Sequence, residues 1–290
     1  MKKLIIFLIL IFNIFPRSEE LTKGVSLWYQ GKEDEALIKY LELEKQGDVE
    51  VYYYLAQFYA NSNSKYFNLD KQIEYLQKGY EVGESECILV LGEYYEKGIG
   101  VKNNNKKAEE LYKLAIAKNQ KLGYFFLGKL YYRYAQTEED YREIIDLFDK
   151  SEEAEGYYIN ALIYIENIKS EDKNTTSKKV LEYVGKAAKH FYKPAVMNLA
   201  QLYEKAKDYK EAVYWYERAL GKELFTGYQR LDAYYKVGYY YKEGLGVEKD
   251  YAKAKESFEY VIAEELKLVD EMDKENYSKA NYELGLDRKS

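Results

Sequence analysis

Residues 91–101 read LGEYYEKGIGV, and residues 237–247 read VGYYYKEGLGV. Each copy has a small residue, Gly92 or Gly238, with a tyrosine three positions later. Six such pairs recur at a spacing of about 36 residues: Ala56 and Tyr59, Gly92 and Tyr95, Gly128 and Tyr131, Ala161 and Tyr164, Ala200 and Tyr203, and Gly238 and Tyr241. Residues three apart share one face of a helix. A fixed period of this length indicates stacked supersecondary units.

A second marker is a residue with an aromatic or apolar side chain four positions later, again on one helix face. The pairs are Ala36 and Tyr40, Gln72 and Leu76, Ala108 and Tyr112, Ile144 and Phe148, Val180 and Val184, Ala212 and Tyr216, and Ala254 and Phe258. Each repeat therefore supplies two helices. From the first-helix tyrosine to this marker the spacing is 13 residues in four copies, but 16 after Tyr164 and 9 after Tyr203.

These spacings carry a family resemblance. The 9-residue copy, Leu199 to Tyr216, resembles a tetratricopeptide repeat. The copies with Gly-x-Gly-Val resemble the related Sel-one-like repeat, best at Ala233 to Ile262 and next at Cys87 to Ile116. The resemblance covers roughly residues 20 to 286, and it is weaker in the fourth and fifth units, which lack Gly-x-Gly. It implies an all-α fold, a right-handed solenoid superhelix of antiparallel helix pairs.

The predicted organisation is a helical repeat domain over residues 19–290 with about seven helix pairs. The predicted spans are 21–48, 49–83, 84–119, 120–154, 155–191, 192–225 and 228–268. Ala280-x-x-x-Leu284-Gly285 looks like half of another unit and predicts a C-terminal capping helix. Lys169 to Lys179 is predicted to be a polar loop inserted in the fifth unit.

The first 18 residues differ from the rest. Lys2-Lys3 precede an apolar run from Leu4 to Phe15, and Ser18 follows. A charged start, a 7–15-residue apolar segment and a small residue are typical of a secretory signal peptide. We therefore expect an exported protein, periplasmic or secreted, with cleavage after Ser18. The alternative is an uncleaved N-terminal membrane anchor.

Composition narrows the possible partners. The net charge is -6 and the pI about 5.3. A basic stripe of the kind that a phosphate backbone requires is missing, so nucleic acid is disfavoured. The 36 tyrosines suit thinly covered helices, because a tyrosine can bury its ring and keep its hydroxyl in water.

No residue pattern predicts a catalytic, cofactor-binding or metal site. The Gly-x-Gly segments lack the third glycine and the preceding strand of a dinucleotide loop. They are predicted to end the first helix, with one glycine left-handed. Cys87 is the only cysteine, which excludes an intramolecular disulfide, and His190 is the only histidine.

By the resemblance, the first helices line a concave face, and two positions of each helix point inward. The predicted partner-binding residues are Tyr53, Gln57, Glu93, Phe125, Lys129, Tyr158, Met197, Gln201, Tyr235 and Tyr239. Aromatic anchors with polar neighbours are typical of protein recognition surfaces. The interpretation is a non-enzymatic, monomeric scaffold that binds a protein or peptide. The alternatives are a helical-repeat enzyme acting on the cell wall, a structural envelope protein, or a stripe that serves only for packing between repeats.

Overall fold

Apolar residues at helical spacing and only 2 prolines favour long helices. The computed structural model describes residues 18–221, 225 and 228–263, and this part holds fourteen helices and no strand. They are α1 (Glu19–Tyr29), α2 (Glu33–Lys45), α3 (Val51–Ala60), α4 (Leu69–Val82), α5 (Ser85–Lys97), α6 (Asn105–Ala117), α7 (Leu122–Tyr132), α8 (Glu138–Ser151), α9 (Ala154–Glu166), α10 (Lys173–Lys189), α11 (Lys193–Lys205), α12 (Tyr209–Leu220), α13 (Tyr228–Glu243) and α14 (Tyr251–Ala263). The predicted all-α repeat fold is confirmed.

The chain divides into two compact units, one ending at Leu130 and one beginning at Tyr131, so the boundary falls within α7. In the first unit, α1 packs on α2, α3 on α4, and α5 on α6. In the second unit, α9 packs on α10, α11 on α12, and α13 on α14. The predicted span 84–119 contains α5 and α6.

Aromatic side chains of the second helices form much of the core of each unit. In the first unit, Tyr40 and Phe58 are fully buried and meet edge to face with ring centroids 6.1 Å apart. In the second unit, Tyr216 and Tyr240 are buried and stack at 6.0 Å. Such pairs add specific geometry to the burial of apolar area.

In three helix pairs the small residue of the first helix makes room for an aromatic ring of the second helix. A Cβ atom on Gly92 would lie 2.7 Å from Cε1 of Tyr112, and one on Gly238 would lie 2.8 Å from Cε1 of Phe258. A Cβ atom on Gly24 would likewise lie 2.7 Å from Cε1 of Tyr40. Gly24 is therefore the small residue of the first pair, which the repeat pattern missed because no tyrosine follows it three positions later.

The Gly-x-Gly segments connect first and second helices. Gly98 ends α5 with a φ of 70°, and Gly100 has a φ of 63°. Both glycines are thus left-handed, where one was predicted. Gly100 lies against Ile73 of the preceding pair, and the equivalent Gly246 lies against the backbone of Tyr209. The second glycine is required both for its backbone conformation and for this close approach.

Two of the repeats without Gly-x-Gly attach the equivalent turn through a serine. The Ser64 hydroxyl donates to Glu33, in the first turn of α2, at 2.8 Å. In the second unit the Ser170 hydroxyl donates to Glu138, in the first turn of α8. Hydrogen bonds from Ser170 and Arg142 lower the pKa of Glu138 to about 2. A carboxylate at a helix N-terminus is also favoured by the helix dipole.

The predicted polar loop from Lys169 to Lys179 is wrong in its second part. Helix α10 begins at Lys173, and Asp172 caps it by accepting from the backbone N–H groups of Asn174 and Thr175. Residues 173–179 are polar because this extra helical length is largely exposed. A polar composition describes an exposed helical turn as well as a loop.

Glu84 caps α5 by accepting from the Cys87 N–H at 2.6 Å. Burial raises the pKa of Glu84 to about 8, and the neighbouring Glu86 carboxylate adds to the rise. Because this pKa lies above that of an unfolded glutamate, near 4.3, the folded state binds a proton that the unfolded state releases. The stability contributed by protonated Glu84 is therefore complete below about pH 4.3 and is lost as the pH rises through about 8.

We expect the melting temperature of the protein to fall by several degrees between pH 5 and pH 8, and Glu84→Gln to remove much of that slope. The glutamine side chain keeps an acceptor for the Cys87 N–H and cannot ionise. Thermal melts followed by circular dichroism at several pH values measure the effect. Glu81→Gln, an exposed change on α4 with the same loss of charge, is the control. If the melting temperature falls equally with pH in the two variants, the assignment of this pH dependence to Glu84 is contradicted.

Several sequence predictions fall outside the described residues. These are the signal segment up to residue 17, the end of the predicted span 228–268 from residue 264 onward, and the capping helix near Ala280. Within the described part, Cys87 is fully buried, as expected of a small residue on a packed face. No helix among the described residues has the length and apolarity needed to cross a membrane.

Candidate interaction surface

In the first unit the predicted binding residues lie on α3, α5 and α7. Tyr53 and Gln57 are half-buried and one turn apart on α3. Phe125 is only 8% exposed, and the Lys129 ammonium lies 5.0 Å from its ring centroid. Phe125 therefore contributes mainly to packing, and Lys129 covers it from the solvent side.

Glu93 lies on α5, one residue after Gly92, at the position that Gln57 has on α3. It is half-buried and forms an ion pair with Lys97 one turn later on the same helix. The helices α3 and α5 are in direct contact. Tyr53, Gln57 and Glu93 thus belong to neighbouring first helices of one unit.

In the second unit Tyr158 is half-buried on α9. Its ring lies 5.3 Å from that of Tyr192, and its hydroxyl accepts from the Asn198 side chain at 2.6 Å. Met197, in the equivalent position on α11, is only 5% exposed. The exposure of equivalent positions therefore differs between first helices: Tyr158 is half-buried, whereas Met197 is buried.

Gln201 and Tyr239 are the most accessible members of the predicted set. Gln201 is exposed on α11, and Tyr239 is 36% exposed on α13. Tyr235 lies one turn before Tyr239 and packs on Phe258 at 5.9 Å. The side-chain amides of Gln201 and Gln57 form no hydrogen bond with any residue that the structure describes. Both amides are available to an incoming partner.

Two further carboxylates of the first helices were not predicted. Glu96 is buried at the end of α5 and accepts from the Tyr112 hydroxyl. At the equivalent place on α11, Glu204 accepts from the Tyr216 hydroxyl at 2.8 Å and from Lys236 at 2.7 Å. Burial by itself raises the pKa of Glu204, but these two partners outweigh it and the pKa is lowered.

A sequence signal for these pairs exists. Glutamate stands four residues after the small residue in the third and sixth pairs, and these pairs have tyrosine at the second-helix ring position. The fourth and seventh pairs have Phe148 and Phe258 there and no glutamate. A hydroxyl is present where a buried carboxylate needs a donor, because an unpaired buried charge is costly.

Other features of the described residues do not coincide with this surface. Cavities of about 210 and 220 Å³ lie at two helix–helix turns, beside Lys32 and Tyr134 respectively. Neither is lined by a predicted binding residue. Within the described ranges, no group of three or more His, Cys, Asp or Glu side chains is placed to hold a metal ion.

Comparison with known proteins identifies the repeat. The Sel1 repeat family matches residues 85–120, 193–220 and 231–256. The chain therefore carries Sel1 repeats, at α5–α6, α11–α12 and α13–α14, and the predicted family resemblance is confirmed. Repeats of this family are commonly scaffolds for protein interaction. A search of curated proteins gives no significant match.

Solved structures support the same fold. A Sel1 repeat protein from Oxalobacter formigenes has a TM-score of 0.55 and 21% identity, over 84% of this chain and 96% of that one. A protective antigen of uropathogenic Escherichia coli strains, which displays an SLR fold, has a TM-score of 0.53 and 20% identity over 86% of this chain. The match spans 60% of the length of that antigen. At such identities the likeness concerns the fold alone.

Proposed function

We propose that this chain is a non-catalytic scaffold that binds a protein or peptide on the exposed face of its first helices. The observation that carries the proposal is the state of Gln57 and Gln201. Both amides lie at the same register of a first helix, and neither is hydrogen-bonded within the described part of the chain. Each amide offers two donors and one acceptor, which suits the backbone of an extended segment.

The neighbouring rings support the proposal. Tyr53 and Tyr235 are half-buried, and Tyr239 is partly exposed. A ring whose base is already packed loses little rotamer freedom on binding, and tyrosine is enriched among residues that dominate binding energy. Tyr158 is positioned by Tyr192 and Asn198, so it too is held in one orientation.

We expect the combined substitution of Tyr53, Tyr158, Tyr235 and Tyr239 by alanine to abolish capture of the partner. A few of these rings should account for most of the binding free energy, each contributing about 2 kcal/mol or more. Affinity capture with the immobilised chain, followed by quantitative mass spectrometry, compares the variant with the unmodified protein. Phe125 and Met197 are left intact, because their burial would confound binding with folding.

A matched control is the exchange of exposed apolar residues on second helices, Ile38→Ala and Leu114→Ala. These changes remove similar exposed apolar area from another face. Retained capture by the tyrosine variant, with its helical circular dichroism signal intact, would exclude this surface. Loss of the helical signal would assign the rings to the core and support a packing role.

We further propose that the scaffold is exported, periplasmic or secreted, on the strength of the Lys2-Lys3 start, the apolar run from Leu4 to Phe15, and Ser18. N-terminal sequencing of the chain recovered from a cell fractionation tests this. A mature chain beginning at Glu19 is expected outside the cytoplasm. A chain that starts at Met1 in the membrane fraction would instead support the uncleaved anchor.

A further inference from the structure

A second surface of the second unit is built around the turn between α10 and α11. Four of the second helices end in a left-handed residue, eleven positions after the second-helix marker. In the first unit this residue is Gly47, Gly83 or Asn119, with φ values of 79°, 79° and 63°. After α10, in the second unit, the same position holds Phe191, with a φ of 58°.

The turn itself is the same in these repeats. The Phe191 N–H donates to the Ala188 carbonyl at 2.9 Å, and the Tyr192 N–H donates to the Ala187 carbonyl at 3.1 Å. The backbone N–H groups of Gly47 and Asp48 donate the two equivalent hydrogen bonds, at 3.0 and 3.1 Å. The local structure therefore needs only a glycine or asparagine. A bulky residue in the left-handed region is strained, and such outliers concentrate at functional sites.

The Phe191 ring is not turned inward to compensate, because the side chain is 38% exposed. One of its contacts is with Arg218 of α12, whose guanidinium carbon lies 4.7 Å from the ring centroid. Arg218 also lies 5.4 Å from the ring of Tyr214, which is 47% exposed, and donates from Nη1 to the Tyr214 hydroxyl at 3.0 Å. The guanidinium is thus held between two partly exposed rings.

Arg218 has no counter-charge in the described part of the chain. No carboxylate there lies within ion-pair distance, and Nε is buried without a hydrogen-bond partner. Arg142, on α8, by contrast pairs with Glu138 at 2.9 Å. A half-buried, unpaired guanidinium held in a fixed plane is preorganised for two parallel hydrogen bonds to a carboxylate.

Further cations surround the turn. Lys189 and Lys193 are exposed and form no ion pair with any described residue. Lys186 is already paired with Glu182 at 2.9 Å. Glu153 interacts electrostatically with His190, on the side of the turn that faces α9. Glu155 also acts electrostatically on Tyr192. Lys189, Lys193 and Arg218 are therefore cations close to Phe191 that form no ion pair with a described residue, in a chain whose net charge is -6.

We propose that Lys189, Phe191, Lys193, Tyr214 and Arg218 form a second binding surface, which takes an acidic segment of a partner polypeptide. One carboxylate of that segment forms two hydrogen bonds with the Arg218 guanidinium. An adjacent apolar side chain of the segment packs on the rings of Phe191 and Tyr214. The cations are too few and too local for a nucleic acid, which requires a run of phosphate contacts. The two proposals rest on different residues and are tested with different variants, so the failure of this one leaves the first-helix proposal untouched.

The probe is a fluorescein-labelled decapeptide of six glutamates and four leucines, with a matched peptide of six lysines and four leucines. Fluorescence anisotropy with the full chain at low ionic strength is expected to give at least tenfold tighter binding of the acidic peptide. Arg218→Gln and Phe191→Gly should each weaken that binding at least fivefold. Phe191→Gly should keep its melting temperature, because glycine is the residue that the turn has elsewhere.

Lys178→Gln removes the same charge from the exposed start of α10 and should leave acidic-peptide binding within twofold of the unmodified chain. The proposal is overturned if the acidic peptide binds no tighter than the basic one, or if Arg218→Gln and Lys178→Gln have equal effects. Single-stranded DNA that competes with the acidic peptide at equal charge would overturn the assignment to a polypeptide. If Phe191→Gly lowers the melting temperature, Phe191→Leu, which keeps an apolar side chain, should still bind.

Discussion

Gly246→Ala is expected to destabilise the second unit by about 2–5 kcal/mol, as the sum of a left-handed backbone penalty and an overpacking penalty. The φ of Gly246 is 76°, and a Cβ atom would lie 2.3 Å from the carbonyl carbon of Tyr209 and 2.4 Å from the nitrogen of Lys210. Backbone atoms at the start of α12 cannot move aside as a flexible side chain can. Chemical denaturation followed by circular dichroism measures the loss.

Gly47→Ala separates the two penalties. Gly47 has a φ of 79°, and an added Cβ atom would meet no other atom within 4 Å, so only the backbone cost of about 1–2 kcal/mol remains. We therefore expect Gly246→Ala to be clearly the more damaging of the two. Similar losses in both variants would show that the contact between Gly246 and α12 contributes nothing, and that the glycine serves the turn alone.

Gly92→Leu and Gly238→Leu are each expected to destabilise by about 1–3 kcal/mol through overpacking. Gly92 faces the ring of Tyr112, which is fully buried and held at its hydroxyl by Glu96. The ring therefore has no alternative position to adopt. The free energy of unfolding from denaturant titration gives the effect of each substitution.

Two other substitutions serve as controls. Glu93→Leu, one residue along the same helix, removes only a surface ion pair, worth at most about 1 kcal/mol. Gly185→Ala lies inside α10 with no atom within 4 Å of the added carbon, and should stabilise by about 0.5–1 kcal/mol. If Gly92→Leu behaves like Glu93→Leu, the helix face assigned to Gly92 is incorrect.

The helix pairs follow directly from the sequence, because helix formation and capping depend on residues close along the chain. Asn68, Asn104 and Asp250 each stand four positions before a second-helix marker, and each caps the N-terminus of its helix. The repeat period then places these helices in order. The polar composition before α10 was misleading because capping by Asp172 extends that helix into a stretch without apolar residues.

For the binding residues, the sequence predicted only which positions of each first helix they occupy. At one position of successive first helices, Tyr158 is half-buried whereas Phe125 and Met197 are buried. Periodicity predicts which side of a helix a residue occupies. It does not predict how far neighbouring side chains cover it, because that depends on residues from other helices.

What the sequence alone determined is therefore the succession of helices and the faces that carry small residues, both of which depend on local spacing. What the tertiary structure decided are contacts between side chains on different helices. The Gly24–Tyr40 packing, the Tyr216–Glu204 hydrogen bond and the stacking of Arg218 on Phe191 each join different parts of the fold. Such contacts depend on how one helix is rotated against the next, and side-chain shape and charge set that rotation only when both helices are in place.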